Sequence, residues 1–320
     1  MRAFLLTSVS LLALVSRAHA YTPPKTPWGD PDLQGMWPGE LRAPMQRPVD
    51  LGTRATLTDE EYAQRAAQSK KQAQVDGEEF VKGGATVTIN PPSYWTERGT
   101  PSKQTSLIVD PPNGRLPPMT PEGKKLVTET PAEWRGVANT WTDLSLYYRC
   151  ITRGVVGTTM PSAYDNGNQI LQMPGYVVIR QEMIHETRVI PLDGRPHVGP
   201  DIKLYMGDSR GHWDGNTLVV ETTNFTGKTS IGGNGVAYNG EGGRNSESLR
   251  LVERFTRVAP DMLSYEVTID DPKTWTKPWT MHIPFQLNNS YELHEYACHE
   301  GNYAMSDILS GARAAEAAAK

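Results

Sequence analysis

From residue 168 onward the chain alternates apolar and polar residues in short runs: 169–173, 176–182, 185–192, 217–225, 249–258, 262–269, 279–287 and 291–299. A period of two marks strands with one buried face. Most runs are separated by turn-forming residues, such as Pro174-Gly175, Asp193-Gly194, Asp214-Gly215-Asn216 and Asn288-Asn289-Ser290. Consecutive strands joined in this way pair as an antiparallel meander. A sheet of eight such strands protects its edges by closing or curling. The pattern therefore predicts a mainly β fold, an up-and-down barrel or a strongly curled meander over 168–306.

Residues 21–167 lack this rhythm and read as an irregular, proline-rich extension that wraps the strands and carries short helices. Thr58 followed by Glu61 is a capping box, and it starts a helix running to about Val75. Residues 106–110 and 114–116 predict a small hairpin, 121–128 a helical piece, and 307–320 a C-terminal helix and tail. The Gly-rich stretch 227–246 interrupts the strand series and reads as a loop or lid. At the other end, Arg2, an apolar run and Ala18-His19-Ala20 have the form of a secretory leader over 1–20, which places the protein in the periplasm or outside the cell.

Phasing the strands onto a common interior selects the candidate chemistry. Leu251, Glu253, Phe255 and Arg257 share one face; Leu263, Tyr265, Val267 and Ile269 another; Trp279, Met281, Ile283 and Phe285 a third. Carrying the phase of Val177 through 189 adds His185, and the last run adds Glu295 and His299. Buried charges are costly unless paired. The interior is therefore either a Glu253–Arg257 ion pair with a bonded histidine, or a wet pocket in which His185, His299, Glu253 and Glu295 move protons. Arg195, His197 and Arg210, on two polar loops, could hold a hydroxylated or anionic ligand together with Arg257, Tyr265 and Trp279.

Several other signals narrow the field. The formal net charge of −4 becomes two units more negative once Arg2 and Arg17 leave with the leader, which argues against a nucleic-acid partner. No stretch reaches the ~18 apolar residues of a membrane-spanning helix. Cys150 and Cys298, the only cysteines, are expected to pair in an oxidising compartment. Gly207-Asp-Ser-Arg-Gly211 matches a nucleophile elbow in letters, but turn chemistry and a strand follow it where a helix should stand. His294 and His299 are five apart, not the four of a helical zinc motif. A scattered metal site from His185, His197, His299 and carboxylates is the alternative to a site without cofactor.

Three segments, 182–197, 207–225 and Tyr296-Ala-Cys-His-Glu-Gly-Asn-Tyr303, resemble a family of uncharacterised secreted proteins of environmental bacteria. That resemblance implies export and assigns no catalytic residues. Gly35-Met36-Trp37 looks like the first-strand Gly-x-Trp of lipocalin-like (calycin) barrels, which implies a barrel and nothing about chemistry. Two functions stay open. One is a secreted enzyme acting on a small organic or sugar-like molecule by His/Glu acid–base chemistry, as a lyase, isomerase or hydrolase. The other is a non-catalytic carrier of a lipophilic or aromatic ligand. The sequence leaves the oligomeric state open.

Overall fold

The computed structural model describes residues 21–39, 41–82, 97, 99–129, 138–162, 164–231 and 244–319. The segment 1–20 read as a leader, most of the Gly-rich insertion, Trp95 and Trp134 lie outside these residues. The described chain is mainly β. Its strands are β1 (Gly35–Met36), β2 (Ile108–Asp110), β3 (Asn168–Met173), β4 (Tyr176–Gln181), β5 (Thr187–Pro191), β6 (Asp208–Asp214), β7 (Thr217–Thr223), β8 (Arg250–Ala259), β9 (Met262–Asp270) and β10 (Trp279–Gln286). Four helices accompany them: α1 (Asp59–Lys82), α2 (Pro121–Glu129), α3 (Gly154–Thr159) and α4 (Ala304–Ala318). No described helix is long and apolar enough to cross a membrane.

The strands form two antiparallel sheets, ordered β1-β3-β4-β5 and β2-β10-β9-β8-β7-β6. One continuous core lies between them, drawing Ile170, Val177 and Ile190 from the first and Leu218, Phe255, Val267 and Ile283 from the second. Burying each such side chain contributes on the order of 1.5–3 kcal/mol. Leu251, Glu253, Phe255 and the alternate residues of β9 and β10 face inward, as the two-residue period requires. The capping box at Thr58 and Glu61 is formed, with both reciprocal hydrogen bonds present (2.8 and 3.2 Å).

Among the described residues no ladder closes the two sheets into one barrel. They approach each other at two seams instead, and a glycine stands at each. A Cβ on Gly211 of β6 would lie 2.7 Å from Leu192, just past β5, and 2.9 Å from Ile190 within it. A Cβ on Gly35 of β1 would lie 2.5 Å from Leu287, just past β10. At that second seam the Asn288 amide donates to the Met36 carbonyl (2.9 Å).

Four sequence expectations are corrected. Residues 291–299 are not a strand: the edge of β10 on which they would fold back is already paired with β2. For the same reason 106–116 do not form a local hairpin. Residues 208–214, read as turn chemistry, are strand β6 paired along its length with β7. Finally, the inward phase does not run from Val177 to Val189. Ile184 (φ 58°) and His185 (φ 45°) form a tight turn that reverses the chain, so Arg188 opposite Ile179 points in and Val189 points out.

Candidate functional site

Because 291–299 are excluded from the sheet, they cross the end of β4 as a strap and enclose a cleft of about 670 Å³. One wall is Arg180, Gln181, Glu182 and His185; the other is the strap, residues 293–300. The strap is held at every second or third residue. The His294 amide donates to Glu182 Oε1 (2.7 Å), and the Tyr291 hydroxyl reaches Glu182 Oε2 (2.6 Å). Nδ1 of His185 lies 3.1 Å from the Tyr296 carbonyl; since a carbonyl only accepts, that nitrogen carries the proton. Cys298 is joined to Cys150 by a disulfide across 148 residues of sequence, and Asn302 Nδ2 donates to the Tyr148 carbonyl (2.9 Å).

Behind the cleft wall lies a cluster of three carboxylates. One oxygen each of Glu97, Asp165 and Glu182 falls within 4.8 Å of the others. Glu97 is held by the amides of Asp165 and Asn166 (both 3.1 Å) and by Asn166 Nδ2 (2.7 Å). Glu182, buried on the turn after β4, also accepts from the Gly167 amide (3.1 Å). Tyr291 lies 2.6 Å from both glutamates, so one hydroxyl proton serves two carboxylate oxygens. The backbone packs closely here: a Cβ on Gly167 would stand 2.8 Å from Glu182 Oε2 and from the Tyr291 ring.

Asp165 differs from the other two: among the described residues no side-chain or backbone donor bonds its half-buried carboxylate, whereas Glu97 and Glu182 each accept several hydrogen bonds. Burial, reinforced by the charges of Glu182 and Glu97, pushes its carboxyl up to about 6; His294 and Arg153 oppose the shift only in part. Such a group changes protonation near neutrality, as a proton-transfer group requires.

Of the residues selected from sequence, His185, Glu295 and His299 do meet, all three lining the cleft, although each is exposed and none faces the sheet interior. Glu253 is elsewhere. Fully buried, it takes two hydrogen bonds from Arg188 (2.6 and 2.9 Å) and one from Tyr265 (3.1 Å). The interior ion pair therefore exists, with Arg188 in the place expected of Arg257. Arg257 instead donates to the carbonyls of Asp32 and Pro260 and covers the Trp37 ring. Trp279 is wholly buried and meets Trp275 edge-on at 5.4 Å. Arg195 pairs with its neighbour Asp193. His197 bridges Asp208 (2.9 Å) and Glu221 (3.3 Å), and Arg210 pairs with the other oxygen of Asp208 (2.7 Å), so these polar loops are tied into surface networks of their own. His185, His197 and His299 gather no metal-ligand set; among the described residues the one group with ligand spacing is Glu97, Asp165 and Glu182.

The sequence reading misses Asp165, Glu97, Glu182 and Tyr291. Asp165-Asn-Gly-Asn168 reads as an ordinary turn, and Glu97 is 68 residues away along the chain. Only the donor-rich Asn166-Gly167 amides, which can cradle carboxylates, offered a local signal. No family model matches this chain, and no curated protein matches it either.

Proposed function

We propose that the protein is an enzyme that transfers protons on a small organic molecule bound in the cleft between 180–185 and 293–300. The observation that carries this reading is Asp165: a carboxyl raised to about 6, lacking a donor, behind a cleft wall that presents three histidines. In its ionised form it accepts a proton; once protonated it can return one. Burial raises it, Glu182 and Glu97 add negative surroundings, and Tyr291 bonds those two glutamates. His185, Glu295 and His299 stand where they would orient the bound molecule or relay protons to water, and the exposed Arg180 beside them suits a polar substituent.

The carrier reading requires an apolar cavity inside the sheets. That volume is filled by Trp37, Tyr265, Trp275 and Trp279, all buried to within 1 % of full coverage. Nothing therefore favours the carrier over the enzyme. The same proposal treats the chain as an exported member of the secreted bacterial family its motifs resemble, and the curled pair of sheets as a relative of the lipocalin-like barrel. The Cys150–Cys298 disulfide supports an oxidising compartment.

The test is turnover of a panel of small carbonyl compounds, glycosides and plant-derived aromatics by the wild type, Asp165→Asn and His299→Ala. Activity should rise with pH through about 6, as Asp165 ionises. Asp165→Asn should reduce it at least about 100-fold, the usual weight of a general base. A folded Asp165→Asn protein with wild-type turnover would remove the proposal.

A further inference from the structure

The Cys150–Cys298 disulfide meets the cleft at one end and the protein interior at the other. Cys298 lies on the strap, is half-buried and lines the cleft. Cys150 is only 7 % exposed and stands apart from the lining residues. It sits in a turn with a left-handed backbone (φ 54°), its amide donating to the Tyr147 carbonyl (2.9 Å). The side-chain nitrogen of Asn302 lies 2.9 Å from the Tyr148 carbonyl and 3.3 Å from Cys150 Sγ. A carbonyl only accepts, so one N–H of this amide goes to Tyr148 and the second is left for the sulfur.

We propose that Cys298 is a site of reversible S-thiolation, at which a small thiol entering the cleft exchanges with the disulfide. The incoming thiol gives its proton to water, and its thiolate attacks Cys298 Sγ. A new S–S bond forms there as the bond between Cys298 and Cys150 breaks. The electron pair of the broken bond leaves on Cys150 Sγ, to which the Asn302 amide donates. One disulfide and one thiolate become another disulfide and another thiolate, so no oxidant or reductant is consumed. Cys150 remains in its turn, and the reverse attack restores the original bond once the free thiol is removed.

The rate of such an exchange depends on which sulfur is reachable and on how well the departing thiolate is stabilised. Access selects Cys298 as the sulfur attacked. The Asn302 donor selects Cys150 as the sulfur that leaves, so both effects point the same way. The strap has other anchors than the disulfide: Glu182 accepts from the His294 amide and the Tyr291 hydroxyl, and His185 bonds the Tyr296 carbonyl. The cleft therefore survives opening of the bond. The group carried by Cys298 then occupies it, beside Arg180 and His185. Thiolation at Cys298 does not depend on Asp165 and is read by mass, so it and the acid–base reading can fail separately.

The probe is 2-mercaptoethanol, added in excess to the folded full-length protein at pH 8. The reaction is stopped with acid, freed of thiol, unfolded, alkylated with N-ethylmaleimide and mapped by peptide mass. The map should show mercaptoethanol on Cys298 and N-ethylmaleimide on Cys150. Asn302→Ala should slow the exchange about three- to tenfold, the weight of one hydrogen bond to the leaving sulfur. Asn302→Asp should slow it further, because a carboxylate opposes the departing thiolate. If Asn302 served only to hold the strap, its loss would speed the exchange instead. The single-cysteine variants Cys150→Ser and Cys298→Ser give a second measure with a chromogenic aromatic disulfide. Cys298 should react at least about 100-fold faster than Cys150. Should these variants fail to fold, the wild-type map decides alone. An adduct on Cys150, equal adducts on both cysteines, exchange only in denaturant, or a faster Asn302→Ala protein would overturn the assignment.

Discussion

Two carboxylate–tyrosine groups in this molecule are built from similar parts and end in opposite states. Inside the sheets, Glu253 is fully buried, yet Arg188 gives it two charge-assisted bonds and Tyr265 a third. At the cleft, Glu97, Asp165 and Glu182 gather within 4.8 Å of one another, and Glu97 and Glu182 share the Tyr291 hydroxyl. In the first group every charge has its counter-charge, so nothing there is ready to take up or release a proton. In the second, burial and the neighbouring carboxylates outweigh what His294 and Arg153 offset, and Asp165 bears the cost as a raised pKa. Burial alone does not make a reactive group; burial without a partner does.

The strongest way to break this comparison is to remove one partner of the interior pair. Arg188→Met leaves Glu253 buried and uncompensated and should destabilise the protein by about 3–5 kcal/mol in denaturant unfolding. Arg188→Met combined with Glu253→Leu should recover most of that loss. A single mutant as stable as wild type would show that the interior is wetter than its geometry indicates. Next in size, replacing Cys150 and Cys298 by Ser together should cost about 2–5 kcal/mol, since their bond closes a long loop in the unfolded chain. That loss should also loosen the strap, visible as faster amide exchange over 291–300.

Asp165 sharpens the contrast, because its replacement should stabilise. Its carboxyl titrates at about 6 in the folded protein against 3.8 in the unfolded chain, so between these values the native state binds more protons. Stability therefore falls as pH rises through that window. Asp165→Asn should remove the penalty, raising stability above pH 6 by about 2 kcal/mol after allowance for solvent screening, with little effect below pH 4. A mutant no more stable than wild type at pH 8 would mean that the cluster is not under charge repulsion. The smallest effect is expected from Tyr291→Phe, about 1 kcal/mol for its hydrogen bonds.

Much of the strand series was legible because a two-residue period reports directly on a half-buried strand. The inward faces of β8, β9 and β10 follow from their residues alone, and Glu253 and Tyr265 both belong to the interior on that basis. The same rule misled where the backbone left the regular region. The positive φ values of Ile184 and His185 reverse the chain at a place with no glycine to announce it, and the inward cation is Arg188 as a result. It misled again at 291–299, where the two-residue phase through Tyr291, Leu293 and Glu295 is not a strand. The site was half legible. His185, Glu295 and His299 were chosen for reasons of interior phasing that do not hold, and they nevertheless meet at the cleft. Asp165, the residue that matters most there, sits in an unremarkable Asp-Asn-Gly-Asn turn.

What the sequence determined by itself is local. Periodicity assigns the strands, Thr58 and Glu61 start α1, and two cysteines in a chain with a leader-like first segment pair across 148 residues. Tertiary structure alone decided which edge each strand finds. Ile108–Asp110 occupies the open side of β10, so the last alternating run cannot join the sheet and instead crosses the end of β4 as a strap. Edge occupancy depends on residues more than a hundred positions apart, which no local pattern records. The cleft, and the Tyr291 bonds to Glu97 and Glu182, follow from that one displacement.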